Sequence, residues 1–112
     1  MNTCLIIHPQ DSIKDFFLNI GLIRYLHEKN DGKTVYFILE KYYKQMVFQF
    51  SDLDNFLLEP LEDFSSTSIL KILLGKYQNV KTRYFFGEFD KYRLDEQKNV
   101  FSKRDQNDIA NL

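Results

Sequence analysis

Thr3-Cys4-Leu5-Ile6-Ile7-His8-Pro9-Gln10-Asp11-Ser12-Ile13-Lys14-Asp15 runs from an unbroken apolar stretch through a polar turn into an amphipathic segment. Residues 3–8 read as a short strand, and the lack of alternation suits one buried on both faces. Ser12 and Asp15 form S-x-x-D, a pattern that starts helices. Ile13, Phe16, Phe17, Ile20 and Ile23 then recur at helical spacing, which predicts a helix over 13–28. Leu18, Leu22, Tyr25 and Leu26 widen its apolar face, so cover on more than one side is expected. A strand that feeds a helix through a tight turn gathers backbone N–H groups at one point. An anion or a sugar can be held there.

The pattern repeats along the chain. Asn30-Asp31-Gly32 is a stop and turn signal, followed by a second non-alternating run over 34–39. Tyr42, Tyr43, Met46, Val47 and Phe50 predict a helix over 41–50. Phe56-Leu57-Leu58, ending at Glu59-Pro60, reads as a third strand, and 63–68 as a polar loop. Ile69, Leu70, Leu73, Leu74 and Tyr77 predict a helix over 69–77, with Gly75 weakening its last turn. Residues 80–86 read as a fourth strand that stops at Gly87. The polar quarter after it, 88–112, is expected to form one loosely packed helix and a frayed end. Strands alternating with helices predict one α/β domain over 1–112. Its architecture is Rossmann-like and three-layered, around a mostly parallel sheet of about four strands.

Composition narrows the function classes. The chain has 112 residues, 44% of them hydrophobic, with eleven Phe and seven Tyr to build a core. A net charge of −1 recruits neither nucleic acid nor an anionic membrane. The basic and aromatic mixture of 81–92 is interleaved with Glu88 and Asp90, which argues against a single-strand binding surface. The only cysteine, Cys4, lies in the first apolar run, so it reads as a buried, inert thiol in a reducing compartment. No run is long enough to span a bilayer, and the start has no leader pattern. A cytoplasmic protein is expected. The two histidines, His8 and His27, have no metal-ligand spacing, so no protein-bound metal is expected. Phosphate-loop, dinucleotide-fingerprint, nucleophile-elbow and zincin motifs are all absent.

The stretch from His8 through Tyr25 resembles the N-terminal signature of GT-B-type glycosyltransferases found in large DNA viruses and some bacteria. There the first strand ends in H-x-x-x-G-L-G-D, and a helix carrying N-G-L-x-R-Y-L follows. Here the turn stands as His8-Pro9-Gln10-Asp11-Ser12-Ile13-Lys14-Asp15 and the helix as Ile20-Gly21-Leu22-Ile23-Arg24-Tyr25-Leu26, without a gap. Val35-Tyr36-Phe37 and Glu40-Lys41-Tyr42-Tyr43 look like the family's second strand and next helix start. The Phe- and Tyr-rich composition also suits an AT-rich viral genome. The resemblance implies an acceptor-side domain with a sugar or glycan ligand and a nucleotide-sugar as substrate rather than cofactor. It further implies a second, donor-binding domain, supplied by another chain or lost from this one. A homo-oligomer is an alternative partner arrangement. Two departures bear on activity: Ser12 and Lys14 replace the turn glycines. Lys14 is therefore expected to obstruct the backbone's approach to a ligand or to reshape the turn.

Under the resemblance, Asp15 is the general base that takes the acceptor hydroxyl proton. Its alternative role is local, as the N3 carboxylate that reciprocates the Ser12 cap. His8 ends a strand at its carboxyl edge, where it could bond a sugar hydroxyl or simply orient the loop. Asp11, Ser12 and Lys14 line the turn, with Lys14 either a phosphate contact or a solvated side chain. Tyr42 could stack on a sugar ring or belong to the core. His27 reads as a surface residue, and Arg24 as one that covers or pairs. Two readings compete with catalysis: an inactive interaction module with an exposed aromatic patch, and a flavodoxin-like small-molecule binder.

Overall fold

The first apolar run is the central strand of the sheet. In the computed structural model, residues 2–9 and 12–86 are described in full, and 98–101 by their backbone. β1 (Thr3–Ile7) pairs in parallel with β2 (Lys33–Leu39) on one side and β4 (Thr82–Phe86) on the other. β3 (Phe56–Leu61) pairs with β2, and β5 (Lys98–Phe101) with β4, both in parallel. The order is β3-β2-β1-β4-β5, a Rossmann-like α/β arrangement.

Side-chain alternation divides the core into two layers. Cys4, Ile6, Tyr36, Ile38, Leu58 and Phe86 face α1 (Ile13–Lys29), which contributes Phe16, Leu22, Ile23 and Leu26. Leu5, Ile7, Val35, Phe37 and Phe85 face α3 (Ser66–Leu74), which contributes Ile69 and Leu73. The connections explain the division. From β1 to β3 the chain steps in one direction across the sheet, then leaps past β1 to β4. Right-handed crossovers place the helices of opposite steps on opposite faces.

Several boundaries differ from expectation. Residues 41–50 do not form one helix: a 3-10 turn (Glu40–Tyr42), the α-helical turn α2 (Tyr43–Met46) and a second 3-10 turn (Val47–Phe50) follow one another. β3 continues through Glu59-Pro60 to Leu61. It accepts a proline because, among the described residues, it pairs with β2 alone. α3 starts three residues early, at Ser66, because Ser65 Oγ accepts the Ser68 N–H at 3.2 Å, and Gly75 caps its end. The Asn30-Asp31-Gly32 turn carries the chain past the start of β1. A Cβ on Gly32 would lie 1.8 Å from the Asn2 carbonyl oxygen, which accepts the Lys33 N–H at 2.7 Å. The largest correction concerns the polar C-terminal quarter, where Lys98–Phe101 is a fifth strand. The rest of 88–112 lies outside the described residues.

Burial pushes the Cys4 thiol up to about 12. A thiol so held stays protonated, and β1 sits between two strands, so native Cys4 should resist alkylation at pH 8. Iodoacetamide labelling followed by mass spectrometry should track global unfolding in denaturant. Rapid labelling of the folded protein would show that β1 opens locally.

Candidate functional site

Strand order reverses at β1, and open α/β sheets bind ligands outside the carboxyl ends of the strands at such a point. His8 follows β1 directly and shares the parity of Cys4 and Ile6, so its ring turns toward the α1 layer. Only 4% of His8 is exposed. Its Nδ1 is hydrogen-bonded to the Tyr36 hydroxyl at 3.2 Å, and its ring meets Phe86 edge-on at 5.4 Å between centroids. Tyr36 in turn meets the ring of Phe16, and Phe16 meets Tyr42 at 5.2 Å. Two candidate residues far apart in sequence, His8 and Tyr42, are thus joined through Tyr36 and Phe16. Tyr36 had no sequence signal beyond its place in an apolar run that resembles the family's second strand, where a tyrosine reads as core.

The helix entry is built as the S-x-x-D pattern requires. Ser12 is extended, at φ −156° and ψ 165°, and its N–H donates to the Asp15 carboxylate at 3.1 Å. The Asp15 N–H donates to the Ser12 carbonyl, also at 3.1 Å, and Asn19 Nδ2 donates to the Asp15 carbonyl at 2.8 Å. Asp15 therefore makes the capping contact, and a carboxylate has lone pairs for more than one donor. Lys14 is exposed in the first turn of α1. Among the described residues Asn55 is the one non-glycine with left-handed φ, so Ser12 and Lys14 occupy backbone that needs no glycine. Asp11 lies outside the described residues.

His27 departs from its expected surface role. Its Nε2 lies 2.9 Å from the Asp54 carbonyl, which can only accept, so Nε2 carries the proton. In neutral imidazole Nδ1 then accepts from the buried Thr34 hydroxyl, 2.6 Å away. His27 thereby ties the end of α1 to β2 and the approach to β3. Its helix neighbours Glu28 and Lys29 suggested solvent, but the inward turn of the helix at 27 decided otherwise. Arg24 pairs, as expected: its guanidinium donates twice to Asp52 and once to the Gln49 carbonyl. That contact holds the Asp52 carboxyl below the usual carboxylate range. Tyr42 is half-buried, with Lys41 Nζ 5.0 Å from its ring centre.

Two clefts lie away from the β1–α1 turn. One of about 300 Å³ is lined by Asn2, Thr3, Asn79, Val80, Lys81 and Thr82, at the amino ends of β1 and β4. The other, of about 190 Å³, is walled by Tyr43, Val47, Phe50, Leu53 and the start of β3. Among the described residues no three His, Cys, Asp or Glu side chains gather as metal ligands. No helix among them is long and apolar enough to cross a membrane. No family model, curated protein or solved structure matches the chain. The sheet order therefore carries its assignment: a Rossmann-like α/β domain.

Proposed function

We propose that the chain acts as the acceptor-side half of a glycosyltransferase-like enzyme, with a sugar bound over the β1–α1 turn. The supporting observation is a coincidence of sequence and topology. The stretch that resembles the GT-B signature leaves the sheet at the strand where its order reverses. In this reading His8, Asp11, Ser12 and Lys14 position the acceptor, and Tyr42 offers an aromatic face. Asp15 takes the proton of the acceptor hydroxyl as its oxygen bonds to the anomeric carbon and the nucleoside diphosphate leaves. A second, donor-binding domain supplies the nucleotide-sugar.

Backbone-amide NMR titration with nucleotide-sugars and simple glycans tests the reading. Shifts confined to residues 8–15 and to the carboxyl ends of β2 and β4 are expected. A well-dispersed spectrum that no sugar perturbs would remove it. Asp15→Asn keeps an acceptor for the Ser12 N–H, so stability should change by less than about 1 kcal/mol. Transfer, once a donor domain is supplied, should fall by about two to four orders of magnitude. A second reading, an inactive interaction module, is favoured by one observation: Phe17, Leu18 and Tyr25 of α1 are exposed.

A further inference from the structure

The outer face of α1 has a symmetry that none of the described residues uses. Lys14, Phe17, Gly21, Tyr25 and Glu28 are all exposed. They lie at offsets of −7, −4, 0, +4 and +7 from Gly21. Phe17 is 51% exposed, Leu18 61% and Tyr25 42%, against the expectation that a second layer would cover them. Among the described residues a Cβ on Gly21 would meet nothing within 4 Å, so no packing between them calls for a glycine there. Glycine weakens an exposed helix interior, yet it lets a second helix approach closely. Phe48 and Leu74 are exposed too, but on other elements.

The charges carry the argument further. Lys14 sits in the first turn of α1 and Glu28 in the last, each at the wrong end of its own helix dipole. In an antiparallel helix pair each would sit at the right end of its neighbour. We infer that α1 is the interface of a two-fold homodimer, packed antiparallel on its copy with Gly21 at the crossing. Phe17 then faces Tyr25 of the second copy, and Lys14 faces Glu28, each contact occurring twice by symmetry. A parallel pair would instead set Lys14 against Lys14. The Leu18 side chain meets the aliphatic stem of the second copy's Arg24, whose guanidinium is already engaged by Asp52. One helix pair is a small interface, so a dissociation constant of roughly ten to several hundred micromolar is expected.

Sedimentation velocity of the full chain, from micromolar to near-millimolar, is the test. A concentration-dependent dimer is expected, weakened about tenfold by Lys14→Glu or by Glu28→Lys, since each turns two attractions into two repulsions. The double reversal Lys14→Glu with Glu28→Lys re-forms both ion pairs but inverts their fit to the neighbouring helix dipole, so it should recover most of the lost affinity. Gly21→Gln should raise the melting temperature of the monomer while weakening the dimer about tenfold or more. No effect confined to folding moves those two readouts in opposite directions. A chain that stays monomeric throughout, or a dimer indifferent to both the charge reversals and Gly21→Gln, overturns the inference. Glu28→Lys and Gly21→Gln lie outside residues 8–15, so their effect on the dimer is read independently of the sugar site, which the amide titration follows.

Discussion

Tyr36→Ala should lower the stability of this domain by about 3–5 kcal/mol, the range for deleting a large buried ring. Tyr36 is 1% exposed on a strand flanked by β1 and β3, with the rings of Phe16, Phe50 and Phe56 against it. No backbone shift closes such a space from one side only. A fall in Tm of roughly 15 °C or more is expected by circular dichroism. Tyr36→Phe separates packing from chemistry. It keeps the ring and removes the hydroxyl bonded to His8, at a cost of about 1–2 kcal/mol. The His8 ring resonances should move in that variant while the other core resonances stay. If Tyr36→Phe cost as much as Tyr36→Ala, the hydroxyl rather than the ring would be holding the layer together.

Arg83→Ala is expected to cost a similar amount, about 3–5 kcal/mol, for a different reason. Arg83 is 3% exposed and lies level with Leu5 in the sheet, on the α3 face. Its Nη2 donates to the carbonyls of Tyr77 (3.3 Å) and Gln78 (3.1 Å), in the turn that brings the chain from α3 to β4. Truncation leaves those carbonyls without this donor beside an empty volume. Arg83→Met restores most of the volume and none of the donors, so its cost should fall to about 2 kcal/mol. Urea titration should show a lower midpoint at unchanged slope in both variants. Amide exchange should lose protection first at 77–80. If Met and Ala cost the same, the donors account for the whole effect and the volume for none.

The two variants also show how far the residues themselves could be read. Tyr36 and Arg83 sit in runs recognised as strands, 34–39 and 80–86, and a strand's identity follows from its apolar content. Their partners could not be read. The partner of Tyr36 is a histidine 28 positions away, and Arg83 meets carbonyls whose direction depends on how α3 ends. The same division holds at the candidate site. His8, Asp15 and Tyr42 were legible from the turn and from the resemblance. The link from His8 through Tyr36 and Phe16 to Tyr42 was not, because it needs β1, β2 and α1 assembled. His27 was misjudged on its charged neighbours, though one helical position decides whether a ring faces Thr34 or solvent.

Local pattern alone determined the alternation of strands and helices and the capped start of α1. It also determined the burial of Cys4, because continuous apolar runs must be covered on both faces and caps act within one turn. Tertiary structure decided the rest. Strand order depends on pairings between distant segments, which no local propensity encodes, so the leap from β3 to β4 and the reversal beside β1 appear only once the sheet is built. The polar edge strand β5 exists because β4 offers it unpaired backbone, not because Lys98-Asn99-Val100-Phe101 is rich in apolar residues. The bare face of α1 follows from the same cause. Its apolar residues outnumber those one sheet can cover, and only the packed domain shows which remain outside.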